Sequence, residues 1–300
     1  MAKAELIIPP NTKPPEWGWD PLSKIFHFGT GNLDSSTCAP DEASWADAYI
    51  HQCEELTGKP ESFFPTRRLN NRIKKTLPNR QHIKEPLEAA FKNRKTCREF
   101  FDKPITLEQL STVLQNTLGY QRVDESGAVP PRFSKRRFSP SGGGMNATNS
   151  YVYVRSIEGL APGFYEYSPE EQAIALVKPT KLTLGEMMNG QHFSDLAAFA
   201  LLFTCRLDRL WWKYSHSRAY RMALIELGHH SQTALITISA LGLKSWLTGA
   251  LDDSRLESEL EIAGTNEYIF FCVAGGHGSD SSLSPHLLNR LVLNEQQTNQ

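Results

Sequence analysis

The sequence lacks most of the patterns that announce a chemistry. There is no G-x-x-x-x-G-K-[ST] and no strand-borne G-x-G-x-x-G, so neither a P-loop nor a Rossmann dinucleotide site is supported. No H-E-x-x-H occurs. His229 and His230 are adjacent, so on a helix they point roughly 100° apart and do not easily share a metal. No G-x-S-x-G elbow appears. Cysteine is scarce, with residues only at 38, 53, 97, 205 and 272. No two of them form C-x-x-C, which excludes a zinc ribbon and a thioredoxin-type dithiol and fits reduced thiols in the cytoplasm. Charge excess is absent as well. Lys+Arg 32 against Asp+Glu 33 leaves a net charge of -1, which argues against a dedicated nucleic-acid binder. The longest apolar run, Leu196 to Cys205, is about half of the roughly 20 residues a bilayer span needs. Met1 to Pro15 lacks the basic-then-apolar order of a signal peptide. A cytoplasmic chain with no membrane contact is therefore expected.

What is present suffices for a sizeable core: 40% of the 300 residues are hydrophobic. Residues 1 to 82 differ from the rest. Half of the 18 prolines fall before residue 80, punctuated by Trp17, Trp19, Phe26 and Phe28. This reads as an irregular arm with one helix from Asp41 to Thr57, in which Trp45, Ala48, Tyr49 and Cys53 recur at helical spacing. Phe64 to Arg98 is locally basic, facing only Glu85 and Glu88, and is either a solvated face or an anion-binding one. Regular patterning follows. A short helix covers Glu85 to Asn93. A Thr106-to-Gln109 capping box opens an apolar stripe that Gly119 closes. Tyr120 to Pro140 reads as a loop. Ser150–Ile157, Phe164–Tyr167, Ala173–Val177, Ala197–Cys205 and Glu267–Ala274 read as strands. Leu182–Asn189 and Phe193–Leu196 look helical, and the longest helical pattern runs from Ser217 to Leu241, ended by Gly242. Helices and strands interleave without a regular β-α repeat, which predicts an α+β fold with helices around one sheet.

Three segments carry candidate chemistry. Arg94-Lys95-Thr96-Cys97-Arg98 can fork two guanidiniums and a hydroxyl around a phosphate, although many surface loops read this way. Pro140-Ser141-Gly142-Gly143-Gly144 marks either a flexible loop or a backbone that approaches something flat or anionic. The third runs from Trp211 to Gln232. Lys213, beside Trp211 and Trp212, is a candidate desolvated base, or an ordinary residue at a helix entry. Gly228 inside a strong helix costs about 1 kcal/mol relative to alanine, which a close approach by a ligand or another helix would offset.

In this order, over residues 85 to 279, the segments resemble the nitroreductase superfamily of FMN proteins, in particular its SagB-type branch of thiazole/oxazole-forming dehydrogenases. The matching positions are Arg94, Lys95, Thr96, Arg98 and Phe100; Pro140 to Gly144; Pro162, Gly163, Phe164, Tyr165 and Tyr167; and Lys213, Tyr214, Arg218, Ala219, Tyr220, Arg221, Glu226 and Gly228. The resemblance implies a nitroreductase-like α+β fold, a mixed or antiparallel sheet flanked by helices, in an intertwined homodimer with FMN at the subunit interface. The FMN domain would cover 83–280, between the 1–82 extension and a 281–300 tail. Arg94, Thr96 and Arg98 would hold the phosphate and ribityl chain. Pro140, Ser141, Gly142 and Gly143 would lie against the isoalloxazine from the other protomer, with Gln232 near the flavin. Gly276, in Gly275-Gly-His-Gly278, would close the phosphate site, where His277 departs from related chains.

Lys213 and Tyr214 would be the base and its partner in oxidising a thiazoline or oxazoline of a modified peptide, followed by reoxidation of the cofactor by dioxygen. Cyclodehydratase subunits and a precursor peptide would be the partners. Two other readings compete. One is an NAD(P)H-dependent reductase of nitroaromatics or quinones. The other is a flavin-binding scaffold subunit. A desaturase acting on a carrier-bound or peptide substrate other than an azoline is a further variant.

Overall fold

A computed structural model of the chain describes residues 17–31, 39–57, 85–123, 134–211, 213–214 and 216–298. The basic residues Arg67 to Arg80, Cys38 and Trp212 lie outside the described residues.

The helices begin where local chemistry dictates. α1 (Pro21–Thr30) has proline in its first turn, and the Asp20 carboxylate accepts from Leu22 N–H at 3.0 Å. α2 spans Glu42–Thr57 and α3 spans Glu85–Asn93. α4 (Leu107–Leu118) carries the expected capping box, Thr106 with Gln109, and buries Leu110, Val113, Leu114 and Leu118. After it the structure departs from the sequence reading. The segment from Tyr120 is not simply a loop: β1 (Tyr120–Val123) pairs antiparallel with β2 (Lys135–Arg137). These strands are very short and strongly charged, so no apolar alternation announced them.

The main sheet contains β3 (Thr148–Val154), β4 (Gly163–Ser168), β5 (Ala173–Pro179), β6 (Phe199–Arg206), β7 (Lys244–Thr248) and β8 (Glu267–Gly276). Its order is β5-β4-β3-β6-β8-β7, and every adjacent pair is antiparallel. Between the strands lie α5 (Leu184–Met187), α6 (Leu207–Trp211), α7 (Arg218–Ala240) and α8 (Asp253–Glu259). α9 (Pro285–Thr298) occupies the tail and is tied to α2 by the Arg290–Asp47 pair at 2.6 Å. No helix among the described residues is long and apolar enough to cross a membrane.

Strand alternation sends side chains to two cores. Val152, Val154, Leu201, Phe203 and Val273 face α4 and the inner stripe of α7. Tyr151, Tyr153, Leu202, Cys272 and Trp246 face the opposite side, with Met187, Leu256 and Phe193. A third cluster closes one end of the sheet and brings Trp19 to Ala147, Leu210, Tyr220 and Tyr268.

Across the sheet, one end is defined by Val154, Phe199, Gly275 and Ser245, and the other by Thr148, Cys205 and Tyr268. The steps from Phe199 to Cys205, at about 3.4 Å each, separate the two ends by roughly 20 Å.

α1 lies against the third cluster through His27, whose ring sits 4.4 Å from that of Tyr268, and whose Nδ1 is 2.8 Å from the Tyr220 hydroxyl. Burial pulls His27 down to about 4. Between that value and the unfolded value near 6.5 the unfolded chain takes up a proton that the folded chain refuses, so stability is complete at neutral pH and is lost as pH falls. Denaturant titrations at pH 7 and pH 4.5 should show His27 removing on the order of 2 kcal/mol over this window. His27→Phe should flatten that part of the profile, and an unaltered profile would contradict this account.

Candidate functional site

The sequence-predicted residues fall into two groups, one at each end of the sheet. At the β7 end, Thr96 bridges in parallel to Ser245, and Cys97 N–H donates to Ser245 O at 2.8 Å. The chain from Arg94 to Phe100 thus extends the sheet edge. Arg98 N–H donates to Ser281 O at 3.3 Å, and its guanidinium donates to Ser282 O at 2.6 Å and lies 5.7 Å from the Phe193 ring. The Arg98 Nε is buried without a hydrogen-bond partner. Arg94 is half-buried, with no partner for its guanidinium among the described residues. Gly276 pairs with Lys244 at the same end, where a Cβ would stand 2.8 Å from Ala198 N. Two groups there were not expected from sequence: Lys244 and Asp280 form an ion pair that holds the Asp280 carboxyl low. No local pattern distinguishes either from a surface charge.

At the opposite end, the glycine loop meets the segment between α6 and α7. Lys213 Nζ donates to Gly143 O at 2.8 Å and lies 5.9 Å from the centroid of the Tyr214 ring. Gly143 has φ +61, and a Cβ there would overlap both the Tyr214 hydroxyl and Lys213 Nζ. Glycine is required here for conformation and for space. Lys213 itself is exposed. Of the two indoles expected to bury it, Trp211 turns its ring toward Trp17 and Trp19, at 5.6 and 6.1 Å, and Trp212 lies outside the described residues. Pro140 O lies 3.4 Å from His229 Nδ1, and Ser141 Oγ accepts from Asn146 N–H at 2.7 Å.

The loop is held from below by one carboxylate. Glu226, 2% exposed, accepts from Gly142 N–H and from Thr148 N–H, both at 3.1 Å. The loop and the first residue of β3 are thereby fixed to the same turn of α7. Around Glu226 stand Arg137, 6% exposed and bonded to Thr148 O at 2.6 Å, and His230. Burial, reinforced by the Arg137 charge, pulls His230 down to about 4. The ring is therefore neutral at pH 7, with Nδ1 donating to Thr117 O at 2.8 Å. Sequence patterning placed Glu226 in a motif without showing that it is the loop's anchor.

A cavity of about 390 Å³ opens beside this loop, lined by Arg122, Arg136, Phe138, Pro140, Ser141 and Gly143, among others. Along α7, the outward face carries Leu224 and Ile225, 42% and 49% exposed, then Gly228 and Gln232. Among the described residues, nothing lies within 4 Å of where a Gly228 Cβ would stand. Gln232 is exposed about midway between the Glu226 turn and Ser239, which bonds Ala90 O at the α3 end. Within one chain, therefore, Lys213, Tyr214 and Pro140–Gly143 come together, whereas Arg94, Thr96, Arg98 and Gly276 gather at the far end of the sheet.

Comparison with known proteins bears on this arrangement. A family model described as the nitroreductase family matches residues 91–277. A Methanocaldococcus jannaschii protein named "Putative nitroreductase MJ1384" is 29% identical over 188 residues, covering 62% of this chain and 88% of that protein. The trifolitoxin-processing protein TfxB of Rhizobium leguminosarum bv. trifolii is 27% identical over 133 residues, 42% of this chain and 36% of TfxB. Among solved structures, a chain of the Escherichia coli microcin synthetase McbBCD complex, bound to truncated pro-MccB17, superposes with a TM-score of 0.59. The identity is 22%, over 87% of this chain and 94% of that one. That likeness establishes the fold.

Removing the Glu226 carboxylate would strand two inward-facing backbone donors. Glu226→Ala should lower stability by about 3 kcal/mol, and Glu226→Gln, which retains one acceptor, by roughly half as much. Chemical denaturation of the two variants measures both, and equal losses would contradict the two-armed contact.

Proposed function

The chain belongs to the nitroreductase family, and on that premise we propose that it is an FMN-dependent dehydrogenase that oxidises azoline rings of a modified peptide to azoles. The observation that carries this reading is the convergence of Lys213 Nζ and the Tyr214 hydroxyl on Gly143. A reductase that only passes electrons from a nicotinamide to an acceptor needs no such pair, whereas aromatising an azoline requires a base for the acidic α proton. The similarity to a trifolitoxin-processing protein and to a microcin synthetase chain supports a peptide substrate and partner subunits such as a cyclodehydratase.

The residues present fit FMN. At one end of the sheet, the Arg94 guanidinium without a described partner, the unpartnered Arg98 Nε and Thr96 would take the phosphate and ribityl chain, beside Gly276. At the other, Pro140 to Gly143 would take the ring system. These groups stand roughly 20 Å apart in one chain. A second copy, packed across the exposed Leu224, Ile225 and Gly228 stripe of α7, would bring the glycine loop of one protomer to the arginines of the other, with Gln232 near the junction. Gly228 meets nothing among the described residues, so an approach that would justify a helix-interior glycine would come from such a second copy.

When bound, FMN supplies the two-electron acceptor for the ring's β hydrogen. The protein's own contribution is at the α carbon. The Lys213 amine donates to Gly143 O, a contact that would orient it toward the substrate proton. Tyr214 shares the same glycine and would order the departing proton. Closure by the second copy would remove the water that reaches Lys213 in a single chain. The match to MJ1384 favours a second reading, NAD(P)H-dependent reduction of nitroaromatics or quinones.

The purified protein should be yellow. Lys213→Ala should retain the flavin spectrum and lose at least ~100-fold in azoline oxidation, the lower range for loss of a general base. Undiminished turnover in that variant would remove the base assignment. Rapid bleaching by NADPH without peptide would favour the reductase.

A further inference from the structure

α1 and the Trp17-Gly18-Trp19 segment before it touch neither the arginine cluster nor the glycine loop directly, yet they grip the segment that carries Lys213 and Tyr214. Trp19, 7% exposed, donates its indole N–H to Tyr214 O at 2.9 Å. Ser217 N–H, three residues on, donates to Asp20 Oδ2 at 3.4 Å, and Ser217 Oγ bonds Ser23 Oγ at 2.7 Å. Trp17 donates to the same Ser23 hydroxyl at 3.1 Å. At the other side of the pair, the backbone at Gly18 lies so close to the Trp211 indole that a Cβ there would overlap the ring. The first turn of α1 and the residues before it thus hold the segment at Trp211, Tyr214 and Ser217. Within the segment, Lys213 and Tyr214 N–H donate to Leu210 O, at 3.1 and 2.9 Å.

We propose that residues 17–23 form a clasp that positions Lys213 and Tyr214 over the glycine loop, with Trp19 as its positioning residue. This rests on the reading of Lys213 and Tyr214 as the proton-handling pair. The clasp acts on backbone: it fixes Tyr214 O and Ser217 N–H, and so fixes the direction in which both side chains leave the chain. The Trp19 indole serves two functions that can be separated. Its ring fills the third core cluster, and its N–H sets the Tyr214 carbonyl. Displacing a reacting group by about 1 Å can cost two orders of magnitude in rate, so a carbonyl anchor remote from the substrate can govern turnover.

Trp19→Phe in the full chain keeps an aromatic ring and deletes the N–H. Amide exchange at Lys213, Tyr214 and Ser217 should quicken about tenfold, while exchange in β6 and β8 stays unchanged. With an azoline-bearing peptide, kcat should fall about tenfold at unchanged KM and unchanged flavin absorbance. Ser23→Ala, which cuts the Ser217 hydroxyl contact and the Trp17 indole contact while leaving every aromatic ring in place, should move the same quantities in the same direction by less. It serves as the test if Trp19→Phe does not fold. Unchanged exchange at 213–217 in the folded variant overturns the clasp. A rise in KM at constant kcat also overturns it, assigning the arm to peptide docking through the exposed Leu22, Ile25 and Phe26. If the wild type oxidises no azoline peptide, the proposed function falls, and amide exchange alone still decides the clasp.

Discussion

The Glu226 carboxylate holds the glycine loop and the start of β3 to α7, and the geometry of the site follows from that contact. The three glycines, which turn through φ +61 at Gly143, have no side chains with which to tie the loop to α7. Two backbone N–H groups donating to a buried carboxylate supply the anchor, and the helix that carries Glu226 spans from this loop toward α3. A buried carboxylate is costly unless it is well satisfied. Here Gly142 and Thr148 N–H satisfy it, Arg137 offsets its charge, and a neutral His230 avoids adding a second cation.

The sheet then imposes a division. Its antiparallel register places the arginine segment at one end and the Lys213–Tyr214 pair at the other, roughly 20 Å away. The unpartnered groups point the same way. Arg98 Nε, the exposed Leu224 and Ile225, and the open space above Gly228 are each costly or unexplained in isolation. A cofactor and a second copy would resolve them together. Residues 17–23 join this division at the end of the third core cluster, where they grip the chain between α6 and α7, whereas α2 sets Trp45 5.0 Å from Phe193, the ring beside Arg98.

Much of the fold was legible because it is written in periodicity. The stripe of α4, the capping box at Thr106, the buried strands around Val152, Leu201 and Val273, and the long run of α7 ending at Gly242 all follow from local pattern. The elements that escaped are those whose residues carry little pattern. α1 exposes Leu22, Ile25 and Phe26 and is seated through Trp17, Trp19 and His27. β1 and β2 are short and charged. β7 holds a lysine and a serine at the very positions that pair with Gly276 and Gly275.

For the site, sequence identified the segments and tertiary structure decided their company. Residue types within a few positions of each other fix local chemistry: paired guanidiniums beside a hydroxyl, three consecutive glycines, a lysine next to a tyrosine. They therefore determined which family this chain resembles. They could not determine that Lys213 reaches Gly143 across 70 residues, that Glu226 lies beneath that loop, or that Trp211 turns toward the arm and leaves Lys213 exposed. Those outcomes depend on strand register and on where α7 lies across the sheet. Both are set by long-range packing, which short-range spacing does not encode.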